Sequence, residues 1–411
     1  MPAEVAAAET SVFPRFVTSP YPNIERGEGV WLYDVDGRAI LDACGGGAMV
    51  ACLGHGRADI VEASARQAAE LPYVYYHHFT NELQERLASR VLEVGAPEMA
   101  RARFVTGGSE ANEMALRLAR QYHVDRGEEP RWRVVAPAHA YHGATIGTLA
   151  LTGRDSVRHP YDPYLVGHVH FDAAEGVDAL DRALEEAGPN TIAAFFCEPV
   201  SAAARPAWSP PQNFWRALDD RRREHGFLIV FDEVVTGFGR TGSWFAYREL
   251  PLEPDIVTFG KGLGAGYAPL AGILCSEHVY EATARGSRNF EHGHTWDGAP
   301  QICAVGLAVL DQLEGGLVES VRERGPRLLE ELRDAAGGLD LVADVRGHGF
   351  LLGVELAQPV GKQVDSTALD HDLLVTSVDD QTLLAPAFTA TDEELSEMVS
   401  RLAATLEAVA R

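Results

Sequence analysis

Phe227-Leu-Ile-Val-Phe231 runs straight into Asp232-Glu233, and a second apolar run ending at Phe259 is followed by Gly260-Lys261-Gly262. Five apolar residues in a row suit a strand buried on both faces, as in parallel sheets covered by helices on either side. In such sheets ligands lie beyond the carboxyl ends of the strands, where Asp232 and Lys261 fall. A buried carboxylate there needs a partner, and a protonated ring nitrogen would serve. The competing reading is an aspartate that caps the next segment. Lys261, freed by a glycine on each side, is placed for Schiff-base chemistry; a solvated loop lysine is the plainer alternative.

Working outward, the chain between about 100 and 280 alternates short apolar runs with helical patterns. Strands are expected at 103–106, 131–136, 191–197, 227–231, 255–259 and 270–275. After Ser109 the apolar positions 111, 114, 115, 118, 119 and 122 have helical spacing. A long helical stretch is expected over 298–335, then strands near 341–345 and 350–356 and a last helix over 391–410. The opening 40 residues read as a small strand pair that turns at Asp36-Gly37. The fold class is therefore α/β: a large three-layer α/β/α domain with a mostly parallel sheet, plus a small α+β domain built from both chain ends. The divisions are 1–45 for the first part of the small domain, 46–300 for the large domain and 301–411 for the linking helix and the rest.

Composition narrows the functional classes. Of 411 residues, 46% are hydrophobic and 23% charged, the balance of a globular chain. A net charge of −25 argues against nucleic acid or an anionic membrane as partner. The basic residues include only two lysines, Lys261 and Lys362; the rest are arginine. Lysine can lose its proton and act as a nucleophile, whereas guanidinium stays charged, so Lys261 invites an amine role. Five cysteines without a close pair, and no basic-then-apolar leader, point to a cytoplasmic protein. No apolar run approaches the length of a membrane span.

Further motifs add to this pair. Thr106-Gly-Gly-Ser-Glu-Ala-Asn112 reads as strand, glycine turn and helix start. Its free N–H groups form an anion site, with Ser109 as cap and phosphate ligand, although a plain tight turn with a serine cap fits as well. Tyr141-His142-Gly143 offers aromatic faces to a planar group or to the core. His292 with His294, and His168 with His170, carry no cysteine or acidic residue at zinc spacing, so no metal is expected. Together the turn, the aromatic pair, Asp232 and Lys261 meet the needs of pyridoxal phosphate.

In the order and spacing of these stretches the sequence resembles the class III aminotransferases, of the fold-type I pyridoxal-phosphate enzymes, over nearly its whole length. The matching stretches include Gly107–Asn112, Tyr141-His-Gly143, Glu198-Pro-Val200, Asp232–Gly242, Phe259–Gly262, Gly293-His-Thr295 and Val345–Phe350. The resemblance implies that Lys261 carries the cofactor aldehyde and shuttles the proton. It implies that Asp232 pairs with the pyridine nitrogen, Tyr141 and His142 lie at the cofactor with Tyr141 stacked on one ring face, and Val234 packs the other. Gly108 and Ser109 would hold the phosphate and Glu198 would sit beside cofactor and substrate. Thr295 would reach the partner subunit's phosphate, which implies a homodimer with shared active sites.

Departures from the family pattern concern the substrate. Val235 stands where many relatives have glutamine, Ser201-Ala-Ala-Ala204 replaces glycines, and no arginine occurs between Arg346 and Arg401. A bidentate grip on a carboxylate is an arginine property. The expected donor is therefore an ω-amino compound or an amine without an α-carboxylate, passing its amino group to an oxo-acid or aldehyde. The apolar run Leu383–Phe388 is expected to line the pocket, Arg205 is the candidate for the acceptor carboxylate, and Lys362 is the fallback. The rival is another reaction of the same cofactor (lyase, racemase, decarboxylase or aminomutase), or a catalytically silent protein on this scaffold. A nicotinamide dehydrogenase would need a GxGxxG turn, which is missing.

Overall fold

The computed structural model describes Glu4–Val5 and residues 10–411. One seven-stranded sheet organises it. Its strands in chain order are β1 (Arg101–Val105), β2 (Arg133–Pro137), β3 (Val169–Phe171), β4 (Ile192–Cys197), β5 (Leu228–Glu233), β6 (Ile256–Phe259) and β7 (Ala271–Cys275). Their spatial order is β1-β7-β6-β5-β4-β2-β3. β2 to β6 pair in parallel, and β7 runs against both of its neighbours. Strands β4 to β7 are buried along their whole length, which is why their sequences read as unbroken apolar runs. Register sets Asp232 beside Thr258 and Glu233 beside Phe259, so β5 and β6 deliver Asp232 and Lys261 to the same sheet edge.

All six expected strands are present, with ends shifted by one or two residues. The edge strand β3 was not expected: it has three residues, with His170 between two buried ones, too short to show a period. Helix α1 (Gly108–Asp125) buries Ala111, Met114, Ala115, Leu118, Ala119 and Tyr122 against the sheet.

The expected helix over 298–335 is two helices, Pro300–Gln312 and Val318–Ala336. Between them Gly316 takes φ +109°, a value that breaks the helix and that glycine adopts without strain. By length and composition Pro300–Ala336 would suffice to cross a membrane. In this fold its first half is core, packed against the helices Ala58–Glu70 and Glu82–Gly95.

Both chain ends meet in one sheet. The strands Ile24–Glu28, Trp31–Asp34 and Ala39–Asp42 are antiparallel neighbours, and Leu373–Leu374 adds to the last of them in parallel. A further antiparallel sheet joins Val342–His348, Leu351–Leu356, Gln381–Leu384 and Thr376–Val378. The closing helix Asp392–Val409 starts with a reciprocal cap, in which Thr391 Oγ1 accepts from the Glu394 N–H and Glu394 Oε2 from the Thr391 N–H.

Candidate active site

Asp232, the next-to-last residue of β5, has only 5% of its surface exposed. Its Oδ2 accepts from Asn112 Nδ2 at 2.7 Å and faces His142 Nδ1 at 2.8 Å. Because a carboxylate oxygen can only accept, the His142 proton is assigned to Nδ1, which leaves the buried Nε2 without a partner. Oδ1 accepts the Val234 N–H at 3.0 Å, so the local turn expected of a capping aspartate coexists with the deeper network.

Lys261 is separated from β6 only by Gly260 and opens a short turn with φ +32°. Its side chain is half-buried, and its amine makes no hydrogen bond or ion pair within the described residues. Burial holds its pKa below the ordinary lysine value. Cys44, Asp232 and Glu198 pull it upward, while Arg240 adds to the lowering. Glu198, just past β4, accepts the Tyr141 N–H at 3.3 Å and the Ala202 N–H at 3.0 Å. Burial pushes its carboxyl up to about 7, with His142 opposing and Asp232 reinforcing the rise.

The glycine turn differs from expectation in one respect. Ser109 is not the cap of α1; Gly107 is, and no side chain caps the first turn. Ser109 lies inside that turn, and its Oγ accepts the Ala144 N–H at 3.1 Å. A Cβ on Gly108 would come within 2.7 Å of Val234 Cγ1, and one on Gly260 within 3.3 Å. Val234 thus sits on both the turn and the glycine preceding Lys261. Gly143 has φ +136°, and a Cβ there would strike Ser109 Oγ at 2.6 Å. Tyr141 keeps 37% of its surface exposed beside this contact.

Three other candidates stand apart. Thr295 is exposed and makes no bond to the cluster within its own chain; the neighbouring His294 Nε2 meets Thr106 Oγ1 at 3.0 Å. The Arg205 guanidinium lies over the Trp208 ring, 4.7 Å from its centroid, with neither Glu198 nor Lys261 among its partners. Lys362 is exposed on the helix Gly361–Asp370.

The apolar run is split by strand alternation. Leu383 and Ala385 join a cluster of Cys44, Met49, Val200, Ala202 and Val235, whereas Leu384, Ala387 and Phe388 belong to the main core. Only part of the expected lining therefore faces that cluster.

Three residues escaped the sequence reading. Asn112 and Thr258 bond to Asp232 or to its partner, yet a helix asparagine and a strand threonine carry no local signal. Arg240 is 2% exposed with no carboxylate partner. Its Nη1 donates to Phe350 O at 3.1 Å and Pro386 O at 2.6 Å, and Nη2 is buried and unpartnered. Desolvation lowers its pKa to about 10.

The profile of the family "Aminotransferase class-III" matches residues 13–406. The chain belongs to the class III aminotransferases. A probable aminotransferase of Mycobacterium tuberculosis is 37% identical over 358 residues, 82% of this chain and 76% of its own. An (S)-enantioselective omega-transaminase from Thermomicrobium roseum superposes with TM-score 0.89 at 32% identity, covering 94% of this chain and 92% of its own. An amine transaminase from an uncultivated Pseudomonas species, in its PLP-bound form, gives TM-score 0.89 at 32% identity, covering 94% of each chain. The fold is that of the fold-type I transaminases, and the protein is a pyridoxal-phosphate-dependent aminotransferase.

The residues present fit that cofactor. An uncapped helix N-terminus beside Ser109 suits a phosphate. A buried carboxylate suits a protonated ring nitrogen, and a lysine amine without a partner suits the aldehyde. The missing Cβ atoms at Gly108 and Gly260 give Val234 its seat.

Proposed function

We propose that this aminotransferase takes its amino group from a donor lacking an α-carboxylate, an ω-amino compound or an amine on an apolar body, and passes it to an oxo-acid or aldehyde. The observation that carries this reading is the wall Val235, Ala202, Leu383 and Ala385 beside Cys44, a residue close enough to Lys261 to affect its charge. An unpaired carboxylate against such a wall is costly. Arg346 is engaged on Pro206 O, Glu355 and Gln381 and Arg205 lies over Trp208, while Arg240 spends Nη1 on two backbone carbonyls and keeps only a buried Nη2 without a partner. The likeness to an omega-transaminase and an amine transaminase supports the same donor class.

Bound pyridoxal phosphate supplies an aldehyde that captures amines and a ring that accepts electron density. Lys261 Nζ is assigned the covalent attachment and the proton moved from the carbon bearing the amino group. Burial favours the neutral amine that both tasks require. Asp232 holds a proton at the ring nitrogen, oriented by His142. Gly108 and Ser109 would hold the phosphate, Tyr141 and Val234 would lie against the ring, and Glu198 would stand beside the substrate.

The assembly proposed is a homodimer in which the partner's Thr295 completes the phosphate site. The exposure of Thr295, with Phe79 at 62% and Trp296 at 49%, supports it. Five buried free cysteines support a cytoplasmic setting, and the net charge of −25 supports small-molecule substrates over nucleic acid or membrane.

The test compares kcat/KM for a terminal amine with that for an α-amino acid of similar size. The expected result favours the amine. A tenfold preference for the α-amino acid, about 1.4 kcal/mol in transition-state binding, overturns the assignment.

A further inference from the structure

Asp232 has two oxygens, and the structure treats them differently. Oδ2 faces two donors, Asn112 Nδ2 at 2.7 Å and His142 Nδ1 at 2.8 Å. Oδ1 has one firm donor, the Val234 N–H at 3.0 Å, with the Thr258 hydroxyl at 3.4 Å. That hydroxyl is committed elsewhere. The Asn112 amide points its nitrogen at two acceptors, Asp232 Oδ2 and His142 O at 2.7 Å, so its oxygen must face Thr258. Thr258 Oγ1 then donates its single proton to Asn112 Oδ1 at 2.6 Å and has none left for Asp232. The orientation of Asn112 is fixed at three points, and the residue is 1% exposed.

We infer that Asn112, locked by Thr258, is a positioning residue that saturates Asp232 Oδ2 and leaves Oδ1 as the oxygen presented to the cofactor's ring nitrogen. The three groups come from α1, β5 and β6, so the chain Thr258–Asn112–Asp232 ties the carboxylate to the strand that carries Lys261. The inference rests on the assignment of Asp232 to the ring nitrogen. It adds which oxygen acts and what holds the carboxylate in that rotation.

Four variants and one control test it on the holoenzyme, with cofactor dissociation constant and visible absorption maximum measured beside kcat and KM. Asn112→Ala is expected to weaken cofactor binding at least tenfold, to shift the visible band, and to lower kcat far more than it changes KM. Thr258→Val should move the same readouts in the same direction by a smaller factor, about threefold, and Thr258→Ser should restore them. The double variant should be no worse than Asn112→Ala, because Thr258 acts through Asn112. If Asn112→Ala changes only the melting temperature, or if the two losses multiply, the inference is wrong. Should Asn112→Ala not fold, Thr258→Val against Thr258→Ser decides on the same readouts. Asp232→Asn is the control. If it too leaves affinity and band unchanged, the assignment of Asp232 itself fails; if it moves both while the Asn112 and Thr258 variants do not, only the positioning role fails.

Discussion

Glu198 offers a quantitative check, because its carboxyl is placed where ionisation is costly. The rise from 4.5 to about 7 corresponds, at roughly 1.36 kcal/mol per unit, to about 3 kcal/mol of lost stability when the group is ionised. The sign follows from proton binding. Between 4.5 and 7 the folded protein holds the Glu198 proton and the unfolded chain does not, so stability falls as pH rises through this window and levels off above it. Glu198→Gln removes the titration. The amide cannot accept from both the Tyr141 and Ala202 N–H groups, which adds a loss that does not vary with pH. The stability of the variant minus that of the cofactor-free wild type should therefore climb by about 3 kcal/mol from pH 4.5 to pH 8. Urea unfolding followed by circular dichroism, at fixed protein concentration, measures it. A difference that is flat across this range would refute the reasoning, since Glu198 would then titrate alike in both states.

Lys261→Ala should lose covalent cofactor and turnover, Lys261→Arg should be equally inactive, and borohydride followed by peptide mapping should find the label on Lys261 and not Lys362. Gly108→Ala places a methyl 2.7 Å from Val234 Cγ1 and should weaken cofactor binding about tenfold; adding Val234→Ala, assayed by cofactor titration, should recover most of the loss. Arg240→Ala strands the Phe350 and Pro386 carbonyls and leaves a cavity, so it should cost about 3 kcal/mol or more in denaturant unfolding. Mixing inactive Lys261→Ala with an inactive Thr295 variant should restore part of the activity through mixed dimers, measured as rate against mixing ratio.

Features that repeat along the chain were legible in the sequence. Phe227–Phe231 and the run ending at Phe259 are buried on both faces, and burial of that kind leaves an unbroken apolar signature. Lys261 stood out because the sequence otherwise uses arginine. Features made by side chains meeting across the fold left no such mark. Asn112 and Thr258 come together from positions 146 residues apart, and neither residue type at its own position suggests the other. Ser109 misled because serine beside a helix start usually caps it, and here the preceding glycines took that place. Arg205 stands seven residues after Glu198, and closeness along the chain says nothing of the Trp208 ring that holds it. The hairpin at 376–384 was hidden because Thr376–Val378 is three residues long and shows no alternation.

The parallel pairing of Leu41 and Asp42 with Leu373 and Leu374 sets an order of events in synthesis. A ribosome releases the first of these strands some 330 residues before its neighbour exists. Until then the edge of Ala39–Asp42 lies open, and so does the turn after it that carries Cys44 toward Lys261. Closing so long a loop is entropically slow, so this sheet is expected to form late, after the seven-stranded sheet has assembled. A nascent chain stalled short of Leu373 would then have its lysine and aspartate in place but lack the Leu383 and Ala385 part of the wall beside them. Supplying the missing C-terminal segment as a separate polypeptide would be a direct way to watch the pocket close.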